Sequence, residues 1–448
     1  MPLDQARALP PIPRRRWRIA LLLGFGVLVN YFDRINISVA RDALHAQFGI
    51  STIAFGYLLS AYSWTYAACQ IPVGVLLDRF GVKKIGRLGA FIWSMASFAA
   101  AASPGLMTLF PARLLLGVGE SPTFPGNAKA IGYWFPKCER TLATSIFDSA
   151  AKFASAIGVP LVGLLLINFG WRWSFAFTGC ASFVYFLLFT WLYRNPSEDA
   201  GLSEVEKRYI VEGGAQPEKS NKNPTLAKGA RMGHPNNPPQ PKLLYLLTRR
   251  KVIGLSLGFS AYNYTFYLLL TWMPSYLSAT LSIDLLHSVF YASLPWLVAT
   301  ATDLLIGGLL VDTLLRRGYG ASRVTRTILV IGMMFGVGIF GVANAHTATS
   351  AVFWISFSLA GLAAAAPVAW SIPALIAPRE SVGKIGGIVN FFSQVTAIAA
   401  PIITGYLVHA TNSFKSAFVV AAVYLVIGIF GYAVLLGKVE AIAEPRDA

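Results

Sequence analysis

Four ionisable residues stand inside otherwise apolar segments: Asp33 and Arg34 in the first, Arg113 and Glu120 in the fourth. A charge at bilayer depth costs about 2.5–3.5 kcal/mol on the insertion scale, so such groups normally face a water-filled cavity and pair with one another. Two cations and two carboxylates therefore suggest a site for an anion and a proton. Arginine stays protonated and presents a planar fork that matches a carboxylate or phosphate. A carboxylate can instead change its charge. Desolvation favours the neutral acid and a neighbouring arginine favours the anion, so protonation can depend on which face of the membrane the cavity opens to. Arg113 and Glu120 are seven residues apart, two helical turns, and project from nearly one face about 10 Å apart along the axis. Asp33 and Arg34 are adjacent and point about 100° apart, so they cannot both face one partner. The alternative to a ligand site is that Asp33 with Arg34, and Arg113 with Glu120, neutralise each other as structural ion pairs.

Further candidates surround these four. Asp148 and Lys152 are four apart and share a helix face. Lys152 either adds a cation for an acidic ligand or is held by Asp148 as a structural pair. Lys129 lies near the cytoplasmic end of the fourth segment, where a lysine is expected to snorkel to the interface. The second half carries Tyr262, Asn263, Thr265 and Tyr267, then Trp370 and Ser371, then Asn390 and Gln394. These would fix ligand hydroxyls or a ring, with helix-to-helix hydrogen bonding as the alternative. Asp303, the intramembrane acid of this half, faces a cavity or caps a local break. Pro122, Pro125, Pro367 and Pro373 mark expected bends, because the carbonyls they free need neighbours or cavity water. His45, His234, His287, His346 and His409 fall in loops or at outer helix ends, so no catalytic or metal-ligand constellation forms and an enzyme is not expected. No phosphate-binding Gly-x-x-x-x-Gly-Lys motif is present, which argues against ATP-driven pumping. Cys69, Cys138 and Cys180 have no paired spacing, so neither disulfides nor a metal site are indicated. No cofactor is expected.

The elements that must position these residues follow from composition. The chain of 448 residues is 55% hydrophobic and 13% charged, too apolar for a soluble protein of ordinary surface. A spanning helix needs about 20 mostly apolar residues, and twelve stretches satisfy this: 18–37, 54–77, 85–103, 107–131, 143–168, 173–193, 252–278, 286–311, 325–345, 349–377, 384–408 and 414–437. The fold class is an all-α polytopic membrane protein. Residues 194–251 form the only long polar stretch, read as a cytoplasmic linker between an N-terminal six-helix bundle at 1–193 and a C-terminal one at 252–448. Arg14, Arg15 and Arg16 precede Trp17 without a small-residue cleavage pattern, which reads as an uncleaved first helix. The net charge of +17 follows topology rather than nucleic acid. With both termini cytoplasmic, only Arg41, Arg172 and Lys415 fall outside and Arg34, Arg113, Lys129 and Lys152 within helices, leaving 30 of 37 basic residues inside. That asymmetry is the positive-inside rule.

After the second stretch stands Gly74-x-x-x-Asp78-Arg79-Phe80-Gly81-x-Lys83-Lys84, and after the eighth Gly308-x-x-x-Asp312 with Arg316-Arg317-Gly318. Such internal repetition is characteristic of transporters with a midplane site between halves. The first loop resembles the signature of the major facilitator superfamily, whose twelve helices and central loop fit the entire chain. Asn30-Tyr31-Phe32-Asp33-Arg34-Ile35-Asn36 and Arg113-Leu114-Leu115-Leu116-Gly117-Val118-Gly119-Glu120 resemble the anion:cation symporter family within it. That family includes bacterial galactonate, hexuronate and glucarate transporters. The resemblance implies proton-coupled symport of a small organic anion by alternating access, in a bacterial inner membrane, by a monomer with protons as the coupling ion. It implies that Arg34 and Arg113 clamp the substrate carboxylate, that Asp33 and Glu120 carry protons, and that Tyr66, Trp370 and Asn390 contact substrate. Asn263 and Tyr267 join them as candidate polar contacts. It also implies that Asp78, with Arg79, closes the cytoplasmic side, a carboxylate being stabilised at a helix N-terminus. Lys152 is a departure, since the sugar-acid carriers often have an amide near this point. Of the helix-five signature of drug antiporters only Gly158, Pro160 and Gly163 are present. The alternatives are a uniporter or exchanger of organic anions, with Asp33 and Glu120 as structural partners, and behind it a membrane-embedded enzyme or a sensor.

Overall fold

The structure is a computed structural model and describes residues 13–136, 139–215, 243–281, 285–378 and 382–442. Among these residues there is no strand. The first half comprises α1 (Arg15–Val39), α2 (Arg41–Phe48), α3 (Thr52–Ala101), α4 (Leu106–Glu120), α5 (Thr123–Trp134), α6 (Arg140–Phe169), α7 (Trp171–Leu192) and α8 (Glu204–Glu212). After α9 (Leu243–Leu247) follow α10 (Arg250–Leu281), α11 (Leu285–Thr302), α12 (Val311–Arg316), α13 (Ala321–Gly336), α14 (Ala348–Ile376), α15 (Val382–Thr411) and α16 (Lys415–Phe430). A π-helical stretch, Asp303–Leu310, joins α11 to α12. A second, Gly431–Leu436, extends α16, and a 3-10 stretch, Val337–Asn344, extends α13.

Eight helical stretches among the described residues are long and apolar enough to cross a membrane. The other four expected spans lie in α3, which contains two, in α4 with α5, and in α10. Gly81 separates the two spans of α3, with φ +81° inside an otherwise helical run, a conformation that glycine adopts without a Cβ penalty. Pro122 does interrupt the fourth span, between α4 and α5. In the tenth, α14 is continuous through Pro367 and Pro373. The Pro367 ring fits where Gly307 has no side chain, a Cβ there lying 2.4 Å from it. The π-helical stretch Asp303–Leu310 packs beside α14.

Within the first half α1 packs on α6 and α7, and α3 on α4 and α7; within the second, α10 packs on α15 and α16, and α14 on α11 and α13. The halves meet along α3 with α15, α6 with α11, and α1 with α10. The expected linker is partly structured. Asp199 pairs with Arg15 at 3.0 Å, Glu198 with Lys83 at 2.6 Å, and Glu206 with Arg16 at 2.9 Å. Residues 194–215 thus dock on the first half, while the Pro- and Asn-rich run at 216–242 lies outside the described residues.

Candidate functional site

The middle of α1 turns Arg34 toward the seam between halves. Its Nε donates to Glu120 Oε2 at 2.9 Å, and its Nη1 donates to the Tyr267 hydroxyl at 3.3 Å. The guanidinium carbon is 4.7 Å from the Tyr31 ring, 5.0 Å from Tyr62 and 5.4 Å from Tyr66. Tyr62 donates to the Tyr267 hydroxyl at 2.7 Å. Arg113 approaches the same Tyr62 ring at 5.3 Å, and its Nη1 donates to the Asp33 carbonyl at 3.1 Å. All of these side chains are buried. Three polar atoms of the cluster have no hydrogen-bond partner: Arg34 Nη2, Arg113 Nε and Glu120 Oε1. Unmade hydrogen bonds on buried charged groups are costly.

The ion pairs differ from the two that sequence adjacency suggested. Arg34 pairs with Glu120 across α1 and α4, and among the described residues neither Asp33 with Arg34 nor Arg113 with Glu120 forms a salt bridge. The 100° offset between neighbours explains the first case. Asp33 points into the first half, where Oδ1 accepts from Ser97 at 2.6 Å and Oδ2 from Ser182 at 2.8 Å. Nothing in the sequence marks those two serines. Tyr62 was legible only as the residue one helical turn before Tyr66 on the same face of α3.

Lys152 makes both an expected and an unexpected pair. Its Nζ lies 2.5 Å from Asp148 Oδ2 and 2.5 Å from Asp303 Oδ2, the second contact crossing from α6 to the other half. Asn263 is used between helices, donating to the Ser393 carbonyl at 2.7 Å and tying α10 to α15. Trp370 is 43% exposed and sets its edge against Phe259 at 5.0 Å, while Asn390 is half-buried on α15. No hydrogen bond or ring contact ties either of them to Arg34. The structure therefore gathers Arg34, Arg113, Glu120, Tyr66 and Tyr267 around one centre, which Asp33 touches through its backbone carbonyl but not its carboxylate, and no hydrogen bond or ring contact among the described residues ties Asn263, Trp370 or Asn390 to it.

Sequence comparison gives the family. Residues 23–395 match the Major Facilitator Superfamily. The chain belongs to the major facilitator superfamily. It is 39% identical over 428 residues to the uncharacterized transporter YybO of Bacillus subtilis (strain 168), covering 95% of each chain. It is 32% identical to the probable galactarate/D-glucarate transporter GudP of the same organism, covering 96% of this chain and 94% of that one. The fold of this superfamily member matches a crystal structure of a D-xylose-proton symporter with a TM-score of 0.71 at 16% identity, covering 94% of this chain and 98% of that one. Superfamily membership makes the protein a multi-pass membrane transporter and not an enzyme.

The superfamily loop lies within α3, around Gly81 between its two spans, where Arg79, Lys83 and Lys84 stand. The Asp78 side chain lies outside the described residues. Arg79 is exposed, its guanidinium 5.2 Å from the ring of Phe80. Lys129, expected to snorkel to the interface, donates to the carbonyl of Leu77 at 3.0 Å, next to the superfamily loop.

Proposed function

We propose that the protein is a proton-coupled symporter of a small organic anion, a sugar acid, working by alternating access of two six-helix bundles. The observation that carries this reading is the Arg34 fork, enclosed by three tyrosines at the seam of the halves and bonded on only two of its three nitrogens. The carboxylate it now holds is Glu120. When Glu120 takes up a proton its claim on Arg34 weakens, and a substrate carboxylate can engage the fork in its place, as arginine favours bidentate pairing with such groups. The Nε of Arg113 supplies a second donor. The hydroxyls of Tyr62, Tyr66 and Tyr267 fit a polyhydroxylated ligand. Asp33, on the far side of α1, would hold a further proton between Ser97 and Ser182 and adjust α1 rather than touch substrate. The galactarate/D-glucarate relative supports the substrate class.

The seam is sealed at one end. There a Cβ on Gly56 would stand 2.8 Å from the Pro401 carbonyl, and Tyr57 bonds Tyr406 at 3.2 Å. Arg15, Arg16, Lys83 and Lys84 mark the other end. By the positive-inside rule we infer that this end is cytoplasmic, with both termini, and that the state drawn is closed toward the outside. Asp78 and Arg79 then stand at the mouth that must close in the other half of the cycle. We further infer an inner-membrane location in a bacterium and a monomeric unit, with Trp370 and Asn390 reaching substrate as the mouth closes.

Uptake of galactarate or D-glucarate into proteoliposomes tests the reading. An imposed inward proton gradient should drive accumulation, and uptake indifferent to that gradient overturns symport in favour of a uniporter or exchanger. Glu120→Gln should abolish gradient-driven accumulation and leave counterflow exchange measurable. Loss of both would recast Glu120 as a binding or structural residue.

A further inference from the structure

Apart from the Arg34 centre, one other cluster of buried charge among the described residues crosses the two halves, and its charges do not balance. Arg34 and Arg113 are matched by Glu120 and Asp33, two cations against two acids. Lys152 alone faces both Asp148 and Asp303, each at 2.5 Å. The Lys152 side chain is 4% exposed, Asp303 0% and Asp148 15%. Asp303 Oδ1 has no hydrogen-bond partner, and Lys152 is the ion-pair partner of Oδ2. Among the described residues no second cation pairs with Asp148 or Asp303. Tyr31 on α1 and Tyr262 on α10 are the titratable groups within electrostatic reach of this cluster, α14 between Ala348 and Ile376 contains no ionisable side chain, and the side chain of Asp312 lies outside the described residues. Two carboxylates sharing one lysine in a dry site cannot both remain charged cheaply. A proton on one of them leaves a neutral set. The shared Lys152 ammonium brings the two carboxyl groups to the same centre, where a protonated carboxyl can donate a hydrogen bond.

We propose that Asp148, Lys152 and Asp303 form a proton-binding site, distinct from the Arg34 centre, that holds one transported proton shared between the two carboxylates. The proton enters from the side to which the cavity is open, adding to a carboxylate oxygen of Asp303 or Asp148, and leaves to the opposite side after the halves have moved, restoring that carboxylate. Because Asp303 belongs to the second half and Lys152 with Asp148 to α6 of the first, the movement of the halves itself changes how closely Lys152 attends Asp303. This geometry ties proton release to the conformational step. It also assigns Lys152 a role when substrate is absent: its charge is already claimed twice, so it offers nothing to an anion until one acid is protonated.

The inference rests on the symport reading, and one experiment separates the two. In proteoliposomes, the logarithm of the steady-state accumulation ratio of D-glucarate is measured against imposed pH difference at zero membrane potential, and its slope counts the coupled protons. Asp303→Asn and Asp148→Asn each remove the surplus acid and leave a neutral pair, so each should lower the wild-type slope by one proton, while Asp303→Glu should keep it. Asp148→Asn carries the test alone if Asp303→Asn does not fold, because it leaves the bridge between halves in place. A wild-type slope that both asparagine variants leave unchanged overturns this site and spares symport. A flat wild-type slope overturns symport and this site with it.

Discussion

The guanidinium of Arg34 is held by its plane as much as by its charge. Three tyrosine rings lie within 5.4 Å of it, and its Nε and Nη1 donate in two different directions. Lysine at this position would keep the charge and lose the fork and the stacking. Replacing Arg34 with lysine should therefore weaken binding of a sugar acid by about tenfold to a hundredfold, the loss of one charge-assisted hydrogen bond, with little change in melting temperature. Ligand-induced thermal shifts at fixed pH give the comparison, and unchanged affinity would show that the substrate carboxylate does not use Arg34. The sequence made the separation of Asp33 from Arg34 legible, because neighbours on a helix must diverge. It did not reveal that Arg34 chooses Glu120, since that depends on how α1 and α4 are rotated against each other. The hydroxyls of Ser97 and Ser182 around Asp33 were equally hidden, serine being unremarkable at any helix contact. Asp303 was visible as an intramembrane acid, but its partner lay 151 positions away on another element.

Hydropathy located the helices well and said less about what secures their ends. The first turn of α1 has no capping side chain of its own, and its orphan N–H groups are met from α8. Glu206 accepts from the backbone N–H of Arg15 and of Arg16, each at 3.1 Å, and from the Arg16 guanidinium at 2.9 Å. A carboxylate at a helix N-terminus also complements the dipole. The polar composition that identified 194–251 as a linker could not show this docking, because α8 presents as an ordinary charged segment. Glu206→Ala removes the cap and strands part of a buried cation, which should cost about 3–5 kcal/mol and appear as a lower melting temperature. Glu206→Gln keeps an acceptor and should cost less. The same cluster predicts an acid limit. Burial raises the affinity of Glu139 for a proton, but its bonds from Arg16 and Tyr209 outweigh that and hold its carboxyl below the ordinary glutamate value of 4.5. A carboxyl lowered on folding stabilises fully above its unfolded value, and the contribution is lost as pH falls through the folded one. Melting temperature should thus fall below about pH 4.5 more steeply in wild type than in Glu139→Gln.

The twelve spans and the repeated loop made the division into two halves readable, yet the state in which the halves meet depends on shape that composition does not encode. The sealed end is built from small residues. A Cβ at Gly56 would lie 2.8 Å from the Pro401 carbonyl, and one at Gly405 3.0 Å from the Thr52 carbonyl. Both obstacles are backbone atoms, which cannot rotate aside as a side-chain tip can. Alternating access requires this seal to open in the other part of the cycle, so the glycines favour one state over the other rather than stability in general. Gly56→Val should penalise only the state drawn here. Overpacking of this kind costs about 1–3 kcal/mol, enough to shift a two-state equilibrium by about 5- to 150-fold. Spin labels at Ser51 and Thr411, exposed positions at this end of α3 and α15, report the outcome as a distance distribution. Wild type should show the short distance, and Gly56→Val should move population to a longer one while Arg34 and Glu120 remain intact. Uptake should fall in proportion, because a transporter confined to one state cannot complete its cycle. A distribution unchanged by the substitution, with uptake lost, would mean that Gly56 serves packing alone and that the halves separate along another seam, with α6 and α11 the next contact to probe.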